Sequence, residues 1–375
     1  MKKIAFLTGT RADFGKLKSL ITAVDQSPLL EYSIFATGMH LMDLYGRTVI
    51  EIEKAGFKNI YKASNSTAET TMDLTLARTI EEFSKFIKET KPDLIVVHGD
   101  RVETLAGAIS GSLNNILVAH VEGGEISGTV DELLRHAVSK MSHIHFVSND
   151  TAARRLRQMG ELDESIITTG SPDLDILFSA QLPDLKTAMD YYGIPFEEYA
   201  IALYHPVTTN AQNKKDARSF VDALLRDDSN YVVIYPNNDL GSNDILEEYA
   251  RFRESGKRFK LFPSLKFEYF ITLLKHARFL IGNSSAGIHE SPYLGVPTVN
   301  IGRRQENRDL DNDTIIHTLS DPNAILEGVS KAKKQKLKPR KIHQQVTAAH
   351  HFIKVLEQPT IWGIDHQKQF RDLSV

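Results

Sequence analysis

Short apolar runs alternate along this chain with longer segments whose apolar positions recur at helical spacing. Residues 4–7, 32–36, 94–97, 116–121, 144–147 and 166–168 read as buried strands, and 16–25 and 70–90 suit helices between them. That alternation predicts a parallel sheet. The rhythm stops near Gly170-Ser171-Pro172-Asp173, crosses a polar, proline-containing stretch at 181–195, and resumes at 199–203, 231–235, 259–262, 279–281 and 298–301. The expected architecture is α/β: two doubly wound, Rossmann-like domains facing across a cleft, spanning residues 1–180 and 196–350. The segment 345–375 reads as helical, broken near Pro359, and residues 351–375 are expected to pack back on the N-terminal domain.

Composition narrows the function classes. A chain of 375 residues, 41% of them hydrophobic, is long enough for two cores. Its 45 basic and 48 acidic residues leave a formal charge of -3, which gives no electrostatic argument for nucleic acid or a membrane as partner. The basic run 331–341 is most simply a solvated helix end and linker. With no cysteine there are no disulfides, thiolate metal sites or cysteine nucleophiles. The apolar run at 4–7 is too short for a signal peptide or a membrane span, so a cytoplasmic location is expected.

The densest chemistry lies in residues 98–136. One strand ends at His98-Gly99-Asp100-Arg101 and the next at Glu122-Gly123-Gly124-Glu125, so parallel strands deliver acids at their carboxyl ends, where open α/β sheets bind ligands. Asp100-Arg101 taken alone would be a surface pair. Further on, Thr129 and Glu132 read as a capping box. Asp131 and Arg135, four apart on that helix, read as an ion pair or, converging with Asp100 and Glu122, as an acid and an anion clamp.

Three turns complete the pattern. Thr8-Gly9-Thr10-Arg11-Ala12-Asp13-Phe14-Gly15-Lys16 opens a helix, where Arg11 and Lys16 favour an anion; it fits neither a dinucleotide fingerprint nor a P-loop. His205-Pro206 ends the strand opening the second domain, and His205 reads equally as a packed residue or a site residue. In Gly282-Asn283-Ser284-Ser285-Ala286-Gly287, Ser284, Ser285 and the free backbone N–H groups could hold a diphosphate, with Glu290 available to ribose hydroxyls. The histidines are scattered and no ligand set stands at metal spacing, so neither a metal nor another cofactor is expected.

Together these motifs, with Ser127-Gly128-Thr129, Arg135-His136 and His205-Pro206-Val207-Thr208, resemble the hydrolysing UDP-N-acetylglucosamine 2-epimerases of bacterial sialic acid synthesis, nearly end to end. The resemblance implies a GT-B fold, with UDP held mainly by the C-terminal domain and the sugar facing the N-terminal one. It implies Asp100, Glu122 and Asp131 as catalytic acids and His205 as the active-site histidine. Arg11, Lys16, Arg135, Phe267, Ser284, Ser285, Gly287 and Glu290 then fall to the nucleotide sugar, Phe267 as the aromatic against uracil. It also implies a homo-oligomer, dimer or tetramer. The related hydrolysing epimerases for the 2,4-diacetamido-2,4,6-trideoxy sugar of legionaminic acid synthesis share most of these motifs. A GT-B glycosyltransferase and a nucleotide-sugar sensor without turnover are the readings from other classes.

Overall fold

In the computed structural model, all residues are described except 68–70, 209–211, 257, 307, 309–312, 342–345 and 373–375. The chain forms two compact units: Met1–Glu125 with Asp131–Phe178 and Gln344–Val375, and Ile126–Val130 with Ser179–His343. Each is built on one parallel sheet.

The first sheet comprises β1 (Lys2–Thr8), β2 (Leu30–Ala36), β3 (Ile60–Lys62), β4 (Leu94–His98), β5 (Leu117–Val121), β6 (Ile144–Val147) and β7 (Ile166–Thr168), in the order β3-β2-β1-β4-β5-β6-β7. Its central strands β4 and β5 are buried along their whole length, as expected where helices cover both faces. Alternate residues of β1 feed the two cores: Ile4 and Phe6 pack with Leu17, Ile21 and Phe352, while Ala5 and Leu7 pack with Phe35, Phe83 and Phe86. The second sheet comprises β8 (Ala200–Leu203), β9 (Tyr231–Ile234), β10 (Phe259–Phe262), β11 (Leu280–Gly282), β12 (Thr298–Ile301) and β13 (Ile315–Thr318), ordered β10-β9-β8-β11-β12-β13.

Both orders reverse direction once, between β1 and β4 and between β8 and β11. Such switch points open a crevice at the carboxyl ends of the strands, where a doubly wound sheet binds its ligand. The fold therefore directs attention to the residues after β1, β4 and β5 in one unit and after β8 and β11 in the other.

Two edge strands, β3 and β13, carry no sequence expectation, and the C-terminal segment departs from one. Ala348–Leu356 is helical and Pro359–Gly363 is a 3-10 turn, but residues 364–372 are irregular. Their backbone groups bond to the first unit instead, as with the His366 carbonyl and His143. Residues 70, 345 and 373–375 of the expected helices lie outside the described residues.

Candidate active site

In the first unit, the turn after β1 is fixed locally. Thr10 caps the helix Arg11–Asp25 by accepting from the Asp13 N–H at 3.1 Å, and the Asp13 carboxylate accepts from the Gly9 N–H at 3.0 Å. The other Asp13 oxygen lies 3.1 Å from His98 Nδ1 at the end of β4, and His98 Nε2 lies 2.9 Å from Glu122 Oε2 just past β5. Glu122 accepts in turn from the Ser171 hydroxyl at 2.5 Å, and the Lys16 ammonium sits 3.7 Å from Glu122 and 2.7 Å from Asp173. Glu122 has φ +62°, a left-handed conformation costing about 1–3 kcal/mol for a non-glycine residue and typical of sites whose surroundings over-determine them.

The electrostatics follow from that chain of contacts. Burial alone would strip His98 of its proton, but its bonds to Asp13 and Glu122 and their charges outweigh it and raise its pKa to about 9. At neutral pH His98 is thus a buried imidazolium between two carboxylates. His120 behaves oppositely: burial lowers it to about 3. Its Nε2 donates to the Gly99 carbonyl at 2.8 Å, so Nδ1 accepts from the Ser139 hydroxyl at 3.0 Å.

A second acid group surrounds Arg135, which is 4% exposed. Its guanidinium donates to Asp100 and, at 3.3 Å, to Glu125. Its burial opposes the charge, but Asp100 and Glu125 beside it raise its pKa further above the usual value. Arg135, read from its spacing either as an ion-pair partner of Asp131 along the helix Val130–Met141 or as an anion clamp, bridges Asp100 and Glu125, since a buried guanidinium is held best by more than one carboxylate. Asp131 is half-buried in the first turn of that helix, and Glu132 lies 3.8 Å from His136. Arg11 pairs with Glu51 at 3.5 Å. Lys16, expected on an anionic ligand, is engaged by the acids of its own unit. Glu103, 1% exposed, accepts from Arg101 at 3.2 Å and underlies Gly9 and Gly38.

In the second unit, Asn283 ties the two switch-point strands together. Its Oδ1 accepts from the His205 N–H at 2.7 Å and its Nδ2 donates to the His205 carbonyl at 2.8 Å. Its own carbonyl accepts from Gln305 at 2.8 Å and Arg304 at 3.3 Å. His205 Nδ1 accepts from the Asn237 N–H at 3.0 Å, which leaves the proton of the neutral ring on Nε2. Half-buried Ser284 and Ser285 follow, leading into Ala286–His289, a single helical turn and so a weaker dipole than a long helix supplies. Gly287 has a packing reason to be glycine, because a Cβ would meet Thr298 Cγ2 at 2.5 Å. Glu290 is 4% exposed, and Phe267 is 5% exposed with its ring 6.3 Å from that of Phe270.

The structure thus brings Asp100 to Arg135 and Glu122 to His98 within one unit, and His205 to Asn283 within the other. Asp13, His98, Ser171 and Asp173 had not been singled out as site residues. Asp13 and His98 are 85 positions apart, and only the topology makes them neighbours. Among the described residues, no group of three or more His, Asp or Glu side chains could hold a metal ion, and no helix is long and apolar enough to cross a membrane.

Two doubly wound parallel sheets with polar residues at both switch points define an α/β protein with the GT-B fold. The family profile described as UDP-N-acetylglucosamine 2-epimerase matches residues 22–357. The chain belongs to that family of enzymes. It is 43% identical over 380 residues to the UDP-N-acetylglucosamine 2-epimerase of Neisseria meningitidis serogroup B, covering 100% of both chains. It is 34% identical to the UDP-N,N'-diacetylbacillosamine 2-epimerase (hydrolyzing) of Legionella pneumophila, over 90% of this chain and 91% of that one. Among solved structures, the Methanocaldococcus jannaschii UDP-GlcNAc 2-epimerase in complex with UDP-GlcNAc and UDP matches with a TM-score of 0.80 and 21% identity, covering 94% of this chain and 99% of that one.

Proposed function

We propose that this chain is a hydrolysing UDP-N-acetylglucosamine 2-epimerase, which converts UDP-GlcNAc and water to N-acetylmannosamine and UDP, the first step of sialic acid synthesis. The C2 hydrogen of an N-acetylhexosamine is not adjacent to a carbonyl, so UDP must begin to leave C1 before that proton becomes acidic. Loss of both gives 2-acetamidoglucal. Water then adds at C1 while a proton is delivered to the opposite face of C2.

The observation that carries the reading is the pair of acid groups at the ends of β4 and β5, each with its own cation. Asp100, oriented by Arg135, is the base for C2. Glu122 is bonded to the His98 imidazolium, which supplies a proton for the hydration step, and Asp131 shares water activation. His205, Ser284, Ser285, Gly287 and Glu290, with Arg11, Lys16 and Phe267, serve the UDP moiety. His205, with its ring proton on Nε2, donates a hydrogen bond to the departing diphosphate. No step calls for a metal or another cofactor. The enzyme works in the cytoplasm as a homo-oligomer.

The test is product analysis. With UDP-GlcNAc alone, released UDP and free N-acetylmannosamine in equal amounts support the reading. Reversible formation of UDP-N-acetylmannosamine without release of UDP, acceptor-dependent transfer, or binding without turnover overturns it. A parallel assay with UDP-2,4-diacetamido-2,4,6-trideoxy-glucose decides the sugar, and the higher identity to the meningococcal relative favours GlcNAc.

A further inference from the structure

A buried ionic cluster at the opposite edge of the first sheet, before β6 and β7, has no part in this chemistry. Residues 364–372 run across that edge as a strap. His143 Nε2 donates to the His366 carbonyl at 3.0 Å, and His366 Nδ1 donates to the Asn115 carbonyl at 2.7 Å. The Lys368 ammonium then reaches Glu161 at 2.6 Å, the Ser142 carbonyl at 2.5 Å and the Ser139 carbonyl at 3.3 Å. Three acceptors use the three donors of an ammonium group. Glu161, 3% exposed, also meets Lys140 at 2.8 Å and His145 at 3.0 Å.

Apolar contact contributes little to this end of the strap. Phe370 is 89% exposed and lines, with Glu161, Ile364 and Lys368, a cavity of about 870 Å³. The polar cluster is the anchor.

The Ser139 carbonyl belongs to the last turn of the helix Val130–Met141, and Ser142 lies just beyond it. The Ser139 carbonyl also accepts from the Ser142 N–H at 3.1 Å, and a cation beside carbonyls at a helix C-terminus is favoured by the helix dipole. Two routes lead from this helix end to Asp100. Arg135, one turn before Ser139, holds the Asp100 carboxylate. The Ser139 hydroxyl bonds to His120, whose other nitrogen bonds to the Gly99 carbonyl next to Asp100.

We propose that Lys368 is a positioning residue: the C-terminal strap inserts its ammonium under the helix Val130–Met141 and thereby sets Arg135 and the Gly99-Asp100 turn for catalysis. The proposal rests on Asp100 acting in the reaction as described above. The substitutions Lys368→Met and Lys368→Arg in the full chain test it, with amide hydrogen exchange over residues 136–142 and steady-state kinetics on UDP-GlcNAc as readouts.

Lys368→Met is expected to speed exchange at the helix end by about tenfold or more and to lower kcat by about tenfold, with KM and UDP affinity within about twofold of the parent. Lys368→Arg restores most of both. Unchanged exchange, or faster exchange with unchanged kcat, overturns the proposal. If Lys368→Met does not fold, Glu161→Gln, which removes the counter-charge, carries the same expectations and the same contrary results. Failure of the epimerase reading is distinguishable, because the parent enzyme would then release no N-acetylmannosamine, while exchange would still report whether Lys368 holds the helix end.

Discussion

At the scale of single residues, the proposed mechanism turns on His98, bonded through both ring nitrogens to carboxylates. Replacing it by Asn removes the proton source of Glu122, and turnover is expected to fall by about 10²–10⁴-fold, as for loss of a general acid or base, with UDP affinity unchanged. Steady-state assays with calorimetric titration of UDP check this; a near-normal kcat would contradict the assignment. The histidines also shape stability against pH. His98 has its pKa raised to about 9, so its contribution is complete below about pH 6.5 and is lost as pH rises towards 9. His40 and His120 are lowered to about 4 and about 3, so theirs is complete above about pH 6.5 and is lost as pH falls towards those values. Melting temperature is therefore expected to peak near neutrality and to fall on both sides, and His120→Asn is expected to flatten the acid limb. An acid limb unaffected by that substitution would contradict the assignment. Asp100 and Glu122 stand out in the sequence because acids end two apolar runs. The His98 relay does not, since its partners lie 85 and 24 positions away.

At the scale of elements, the strands around both switch points are legible as apolar runs, because a parallel strand covered on both faces must be apolar throughout. The strands left unread, β3 and β13, are edge strands whose residues are mostly half-exposed, so they carry no such run. The irregular course of residues 364–372 is equally unreadable, because it is set by bonds to distant carbonyls rather than by local periodicity. The turn after β11 is legible as a small-residue turn, and the structure adds why β11 ends in glycine. Gly282 has φ +141°, and a Cβ there would lie 1.9 Å from the Leu203 carbonyl oxygen. Gly282→Ala must displace β8 from β11 and is expected to destabilise the protein by more than about 3 kcal/mol in urea unfolding. A loss below 1 kcal/mol, in the range of ordinary surface substitutions, would show that the strand contact yields freely.

At the scale of the whole molecule, the proposed mechanism assigns the acids and most of the nucleotide contacts to different units, and that assignment predicts separable defects. Asp100→Asn and Glu122→Gln are expected to cut turnover by orders of magnitude while UDP binding, assigned mainly to the second unit, is largely retained. Parallel loss of UDP affinity in both variants would contradict the assignment of acids and nucleotide to different units. The two-sheet plan and the acids following β4 and β5 were legible in the sequence. The pairing of each acid with its own cation was not, because Arg135 sits beside Asp131 in sequence but bonds Asp100 and Glu125 in space. The central claim is proton chemistry at C2, and turnover of UDP-GlcNAc in deuterium oxide tests it most directly. The account predicts that the N-acetylmannosamine released carries deuterium at C2. A product retaining protium at that carbon would contradict it.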